Sequence, residues 1–142
     1  MGDEQMGEKL QFSQAVDVQL RELLTHFPQI TLAVLFGSVA TGSQREDSDL
    51  DIAVAAKQVL TAQERITLVG ALAERIGRPV DLIDLHGVSE PLLGQIVRHG
   101  RRILGSDTLY GDLIARHLFE QADFMPYRTR ILAERRLAWI GK

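Results

Sequence analysis

Two aspartates are spaced in a way that suits a metal-dependent reaction. Asp49 and Asp51 lie two positions apart at the start of the apolar run Leu50–Ala55, which predicts a β-strand. Side chains two residues apart on a strand project from the same face, so these carboxylates would lie a few ångströms apart. Two such charges repel each other unless a cation lies between them, and Mg²⁺ binds carboxylate oxygens together with substrate phosphates. The pair therefore predicts a magnesium site.

A third carboxylate, Asp81, lies in another apolar run, Val80–Leu85, where an unpaired charge would be costly. On a strand next to the first pair it would complete a two-metal clamp for in-line displacement at phosphorus. Asp84 is three positions further on and so on the opposite face, and we interpret it as a strand-end or surface carboxylate. The histidines show no metal-ligand spacing and are expected at the surface or at helix ends (His26, His86, His99 and His117).

A glycine and a serine follow the first predicted strand, Ile30–Phe36, and suit a phosphate. Gly37 permits a sharp turn and a close approach of the ligand to the backbone. Ser38 lies where the next helical turn would begin, and backbone N–H groups at a helix start, with a hydroxyl beside them, bind phosphate oxygens.

The elements that must position these residues alternate between helix and strand. A capping box formed by Thr61 and Glu64 opens a helix that Gly77 and Pro79 end after Ile76. The remaining predictions are a helix over Phe12–Phe27, strands over Ile30–Phe36, Leu50–Ala55 and Val80–Leu85, a helix from Ser89 or Glu90 to Gly100, a short edge strand over Arg101–Leu104, and one long or two shorter helices in the remainder, interrupted at Pro126.

This order predicts an α/β (or α+β) fold, in which a small mixed sheet is flanked by helices. The chain of 142 residues is expected to form a single domain over residues 1–142, with residues 1–11 flexible and a helical C-terminal segment over residues 107–142.

The composition restricts the classes of function. With 45% hydrophobic and 25% charged residues the chain has the composition of a globular protein, and no apolar run approaches the ~20 residues of a membrane span. The acidic, polar start is not typical of a signal peptide, and the absence of cysteine suits the cytoplasm. A net charge of −3 gives no reason to expect direct nucleic-acid binding.

Gly37-Ser38, followed after ten residues by Asp49-Leu50-Asp51, resembles the signature of the DNA polymerase beta-like nucleotidyltransferase superfamily. The resemblance covers roughly residues 12–125. The short length, without a large acceptor domain, resembles the minimal nucleotidyltransferases (MNT proteins), which are antitoxins encoded beside HEPN-domain toxins. The resemblance implies a nucleotidyltransferase fold and an enzyme that transfers AMP from ATP to a tyrosine of a partner HEPN toxin.

The resemblance also implies roles for the matched carboxylates. Asp49 and Asp51 would hold two Mg²⁺ ions. Asp81 would bind the catalytic ion and help to deprotonate the attacking hydroxyl, with pyrophosphate as the leaving group.

For nucleotide binding, the resemblance implies that Ser38 and the Gly37 backbone hold the β- and γ-phosphates, and Ser48 is expected to bind the nucleotide as well. The family often reads G-S-x-A-R-G, whereas Thr41 stands here at the position of that arginine. Arg45 is the candidate that would supply the positive charge instead, and a missing cation would weaken transition-state stabilisation.

Two alternatives stay open. The first is an antitoxin that neutralises its partner by occlusion with vestigial chemistry, which Thr41 and a basic C-terminal stretch with aromatic residues motivate (Tyr127, Arg128, Arg130, Arg135, Arg136, Trp139 and Lys142). The second is nucleotide transfer to a small molecule of the aminoglycoside type, which usually needs an added acceptor domain. Tyr110 and Tyr127 are expected in packing or surface roles rather than as acceptors.

Overall fold

The fold consists of one four-stranded sheet with helices on both faces. The structure, a computed structural model, describes residues 14–37, 40 and 49–122. Its elements in chain order are α1 (described over 14–24), β1 (Ile30–Phe36), β2 (Leu50–Ala56), α2 (Ala62–Ile76), β3 (Val80–Asp84), α3 (Leu92–His99), β4 (Arg101–Leu104) and α4 (described over 107–122).

The sheet is mixed and has the order β3-β2-β1-β4. β1 pairs antiparallel with β2 and with β4, whereas β2 and β3 are parallel. The parallel pair is joined by α2, as a crossover between parallel strands requires. β4 lies at one edge, which confirms the predicted edge strand.

Each face of the sheet packs against its own pair of helices. On one face, α1 and α2 bury Leu20, Leu24, Leu68 and Leu72 against β1 and β2. On the other face, α3 and α4 cover a second core that is built on Leu32, Val34, Phe36 and Ala53, together with Leu93, Ile96 and Leu113. Burial of both faces explains why β1 and β2 are continuous apolar runs. The predicted α/β class and its flanking helices are confirmed.

Local signals set the helix limits. The Thr61 hydroxyl accepts the Glu64 N–H while the Glu64 carboxylate accepts the Thr61 N–H, so the predicted capping box is present. Gly77 adopts the left-handed conformation at φ 76° and ends α2 as predicted. α3 begins at Leu92 rather than at Ser89 or Glu90, and Pro91 is its N-cap residue.

Other limits differ from the prediction by one residue or a few. β2 continues to Ala56, and β3 ends at Asp84, so Leu85 is buried just beyond the strand. The helical part of α1 ends at residue 24, before the predicted Phe27.

In the described residues no helix is long and apolar enough to cross a membrane. The predictions for residues 1–11, the loop over 41–48 and the break at Pro126 lie outside the described residues.

Candidate active site

Backbone register brings Asp51 and Asp81 together. Each is the second residue of its strand, and the parallel pairing of β2 with β3 places them directly opposite one another. Asp49 immediately precedes β2. Asp51 shares a strand face with Ala53, which packs in the core under α3, whereas Leu50, Ile52 and Val54 on the opposite face pack under α1 and α2.

The pKa of Asp51 is raised above its ordinary value. Burial of the carboxylate is the largest cause, followed by the negative charges of Asp81 and Asp49 and by a side-chain hydrogen bond with Asp81. Such a bond forms when one of two adjacent carboxyl groups keeps its proton. Asp51 and Asp81 are therefore in contact, and Asp49 is close enough for its charge to act on Asp51.

Gly37 lies directly against the Asp51 carboxylate. The residue has φ 76°, a left-handed conformation that favours glycine. A Cβ atom at this position would lie 2.2 Å from Asp51 Oδ2, so any larger residue would displace the carboxylate. Phe36 is the register partner of Asp51 on β1, which explains why the turn after β1 begins beside it. The absence of a side chain at residue 37 is thus required by the neighbouring strand as well as by the turn.

A cleft of about 380 Å³ opens at this end of the sheet. Phe36, Gly37 and Asp51 line one side, and Gln95 and His99 from α3 line the other. The two α3 residues are exposed and lie four positions apart, hence on the same side of the helix. The sequence did not single out Gln95, and it identified His99 only as a helix-end residue. Gln95 and His99 reach the cleft because of the angle at which α3 crosses the sheet. No sequence pattern within α3 predicts that angle.

The carboxylates fit a hard divalent cation. Burial and the negative charges of Asp81 and Asp49 raise the pKa of Asp51, and a cation among the three carboxylates would offset both effects. Within the described residues, no three histidine, aspartate or glutamate side chains converge closely enough to enclose a metal ion. Mg²⁺ needs no such enclosure, because it is usually held by one or two carboxylates together with water and phosphate oxygens. Joint coordination of two ions by Asp49, Asp51 and Asp81 stays a prediction.

Some predicted site residues lie outside the described residues, namely Ser38, Arg45 and Ser48, as does Thr41. Asp84 is a strand-end carboxylate as predicted. Its two oxygens accept the Leu60 N–H at 3.0 Å and the His86 N–H at 2.9 Å, so it closes the turn that follows β3.

The prediction for His117 is wrong. This residue is only 5% exposed and its Nδ1 contacts Glu90, whose other oxygen accepts the Gly94 N–H at 3.2 Å. A histidine with a carboxylate partner can be buried in a helix interface, and sequence spacing does not reveal that partner. Tyr110 packs against the second core, and its ring centroid lies 5.2 Å from Arg102 Cζ. This agrees with the packing role predicted for Tyr110.

Known proteins are similar to this chain in sequence and in fold. The family model of polymerase beta nucleotidyltransferases matches residues 18–109. The protein adenylyltransferase MntA of Shewanella oneidensis is 37% identical over 87 residues, which are 61% of this chain and span 63% of that relative.

Two solved structures are similar over most of the chain. A crystal structure of a toxin–antitoxin with AMP-PNP has a TM-score of 0.72 and 29% identity, covering 83% of this chain and 96% of that one. The MNT antitoxin complex with the tri-AMPylated Shewanella oneidensis HEPN toxin has a TM-score of 0.69 and 27% identity, covering 86% and 97%. The residues that the family model matches include Gly37, Asp49, Asp51 and Asp81, and the chain belongs to the polymerase beta nucleotidyltransferase family.

Proposed function

We propose that this protein transfers AMP from ATP to a tyrosine hydroxyl of a partner HEPN toxin in the cytoplasm and thereby acts as its antitoxin. The observation that carries the proposal is the contact between Asp51 and Asp81 beside Gly37, at the mouth of a cleft large enough for part of a nucleotide. Similarity to the adenylyltransferase MntA, and to toxin–antitoxin structures that contain AMP-PNP or an AMPylated toxin, supports the choice of nucleotide and acceptor.

The transfer is a substitution at the α-phosphorus of ATP. The acceptor oxygen forms a bond to that phosphorus, the bond to the oxygen that bridges the α- and β-phosphates breaks, and pyrophosphate leaves with the electron pair. Asp81 is exposed on the edge strand β3, where it can accept the proton of the incoming hydroxyl. Asp51 is half-buried and held by its strand neighbours, so it would fix the position of a cation that binds the triphosphate.

Mg²⁺ suits this site, and we propose two ions held by Asp49, Asp51 and Asp81. When bound, they would neutralise charge on the phosphates and on the departing pyrophosphate. The remaining groups that we assign to nucleotide binding are the Gly37 backbone, Ser38, Arg45 and Ser48. The last three are assigned from sequence alone.

The test is transfer of label from α-labelled ATP to a folded HEPN partner in the presence of Mg²⁺. Asp51→Asn and Asp81→Asn should each lower the rate of transfer by at least about a hundredfold, since each removes a charged ligand of the reacting groups. Asp112→Asn, an exposed carboxylate on α4, is the matched control and should leave the rate unchanged. Transfer at the wild-type rate by the Asp51 or Asp81 variant would exclude the proposed chemistry.

Neutralisation by occlusion is the second candidate, and one observation favours it. Thr41 stands at the position where the family often has an arginine, so a cation that would stabilise the transition state is missing from that position. A protection assay in cells that express the toxin distinguishes the two candidate functions. Under the enzymatic proposal an Asp51→Asn/Asp81→Asn double variant fails to protect the cells, whereas under occlusion it protects them as well as the wild-type protein.

A further inference from the structure

A groove of about 450 Å³ lies beside the edge strand β3. Its apolar residues are Ile83 of β3, Val88 of the connection to α3 and Leu92 at the start of α3, and all three pack on the second core. Two exposed polar residues stand at its rim, Arg65 from α2 and Ser89. An apolar centre with a polar rim is the arrangement found where one protein binds another.

The groove continues from the proposed catalytic carboxylates. Asp81 and Ile83 lie two residues apart on β3, so their side chains project from the same face of the strand, about 7 Å apart. Asp81 is exposed at this edge of the sheet. An extended peptide segment that places one residue at Asp81 therefore reaches the groove with a neighbouring residue.

The direction of the proposed transfer indicates which substrate comes from this side. Gly37, Asp51 and Asp81 lie in that order across the end of the sheet, because β1, β2 and β3 are neighbours in that order. In the proposed function the triphosphate binds at Gly37, and the attacking and leaving oxygens lie roughly in line on opposite sides of the phosphorus. The attacking hydroxyl therefore arrives from the β3 side, where the groove lies.

Arg65 supplies hydrogen-bond donors at the rim. Its Nη2 donates to the carbonyl oxygen of Leu82 at 3.0 Å, which ties this guanidinium to β3. A guanidinium has five N–H donors, so this bond leaves donors for a ligand. The acidic residues that line the groove are engaged within the fold, because the oxygens of Asp84 accept backbone N–H groups and Glu90 contacts His117.

We propose that this groove, which we call the β3 groove, binds the segment of the partner toxin that carries the acceptor tyrosine. The inference rests on the proposed function, which supplies the tyrosine and the direction of attack. A residue next to the tyrosine packs on Ile83 and Leu92, and Arg65 binds a carbonyl or carboxylate oxygen of the same segment. The β3 groove thus selects the acceptor and takes no part in holding ATP.

Gly87 and Gly70 offer a matched pair of variants. Both glycines are exposed and have open space where a Cβ would lie, so a side chain can be introduced at either position. Gly87 lines the β3 groove, whereas Gly70 lies on α2 outside it. Gly87→Trp should therefore fill the groove, and Gly70→Trp should leave it open.

Arg65→Ala and Arg75→Ala form a second pair on one helix. Both residues belong to α2, and each variant removes one positive charge. Arg75 makes an exposed ion pair of 2.8 Å with Glu22 of α1 and does not line the groove. Only Arg65→Ala removes a donor from the rim.

The experiment measures kcat/KM for the folded HEPN partner at saturating ATP, and separately the Kd of a non-hydrolysable ATP analogue with Mg²⁺. Arg65→Ala should lower kcat/KM for the partner by about tenfold, the effect of losing one hydrogen bond from a charged group. Gly87→Trp should lower it at least as much, because the indole occupies the groove. Neither variant should change the Kd of the analogue. Gly70→Trp and Arg75→Ala should stay within about twofold of the wild-type protein in both measurements.

The failure of this inference is distinguishable from the failure of the proposed function. If the wild-type protein transfers AMP and Gly87→Trp transfers it as fast as Gly70→Trp, the groove does not bind the acceptor and the proposed function stands. If Gly87→Trp loses the ATP analogue, the groove belongs to the nucleotide and the inference is wrong. A lower Tm for Arg65→Ala with full transfer by Gly87→Trp would mean that Arg65 only supports the fold. If the wild-type protein neither binds the analogue nor transfers AMP, the proposed function falls and the inference falls with it.

Discussion

Asp51 is held beside Asp81 by strand pairing, against the repulsion between the two side chains. Their register in the parallel ladder is fixed by the apolar residues that follow each of them on its strand. A slip by one residue would turn every side chain of a strand to the other face. The core thus supplies the free energy that keeps two carboxylates in contact. This is a common origin of raised pKa values at functional sites.

Asp51→Asn should stabilise the metal-free protein at neutral pH. A raised pKa means that the native state binds the proton of Asp51 more tightly than the unfolded chain does. The contribution of Asp51 to stability is therefore fully present below the unfolded pKa of about 3.9 and is lost as the pH rises through the native value. Tm measured in EDTA should be higher for the variant at pH 7, and its advantage should vanish as the pH falls towards 4.

Added Mg²⁺ should reverse the order, because it stabilises the wild-type carboxylates and not the amide. The exposed Asp112→Asn variant serves as the reference for a simple change in net charge. A metal-free Asp51→Asn protein that is less stable than the wild-type protein at pH 7 would contradict the repulsion argument.

The helices differ in how much their interior glycines are constrained. Gly70 in α2 has open space where a Cβ would lie. Gly94 in α3 faces the Glu90–His117 contact, and a Cβ there would lie 2.9 Å from both Glu90 Oε2 and His117 Cε1. The second glycine allows α4 to approach α3 closely, which in turn closes the core beneath the cleft.

Alanine at these two positions should therefore have opposite effects. Gly70→Ala should increase the free energy of unfolding by about 0.5–1 kcal/mol, because alanine favours the helix over glycine. Gly94→Ala gains the same helix propensity but crowds a buried histidine, and a net loss of about 1–3 kcal/mol is expected. Urea unfolding of the two variants measures both values. Equal stabilisation by both would show that α4 can move away from α3 without cost.

At the scale of the whole molecule, the cleft lies where β1 ends and β2 and β3 begin. The mixed sheet places these ends together because β1 runs antiparallel to β2 while β2 and β3 are parallel. α3 covers the same end from one face with Gln95 and His99. Segments that are separated by up to about 60 residues in the chain thus form one site, and a ligand bound there would stabilise the fold as a whole.

Magnesium and an ATP analogue should raise Tm together. A ligand that binds only the native state at a hundred times its Kd contributes about 2.7 kcal/mol. We expect this gain with Mg²⁺ present and expect EDTA to abolish it, since under the proposed function the carboxylates would hold the phosphates through the cation. Thermal unfolding with and without EDTA measures the difference, and Asp81→Asn should show little gain in either buffer. The same rise in Tm in EDTA would mean that the nucleotide binds without the metal site.

The sequence by itself determined the elements and the faces of the strands. The limits of β1, the capping box of α2, its end at Gly77 and the alternation of side chains between the two faces of β2 all follow from local periodicity and from turn residues. The spacing of Gly37 and Ser38 from Asp49 and Asp51 likewise predicted a site where β1 ends and β2 begins, and its chemical role stays a prediction. These features depend on neighbours within a few residues, so the chain carries them directly.

Only the tertiary structure decided which distant residues meet. Packing of the two buried faces sets the register that places Asp51 against Asp81. It also sets the crossing of α3, which brings Gln95 and His99 to the cleft. The same cause placed His117 in the interior, where Glu90 supplies its partner. The packing free energy comes from many small contacts spread over both cores. The residue pattern of any one segment does not specify which distant segments make those contacts.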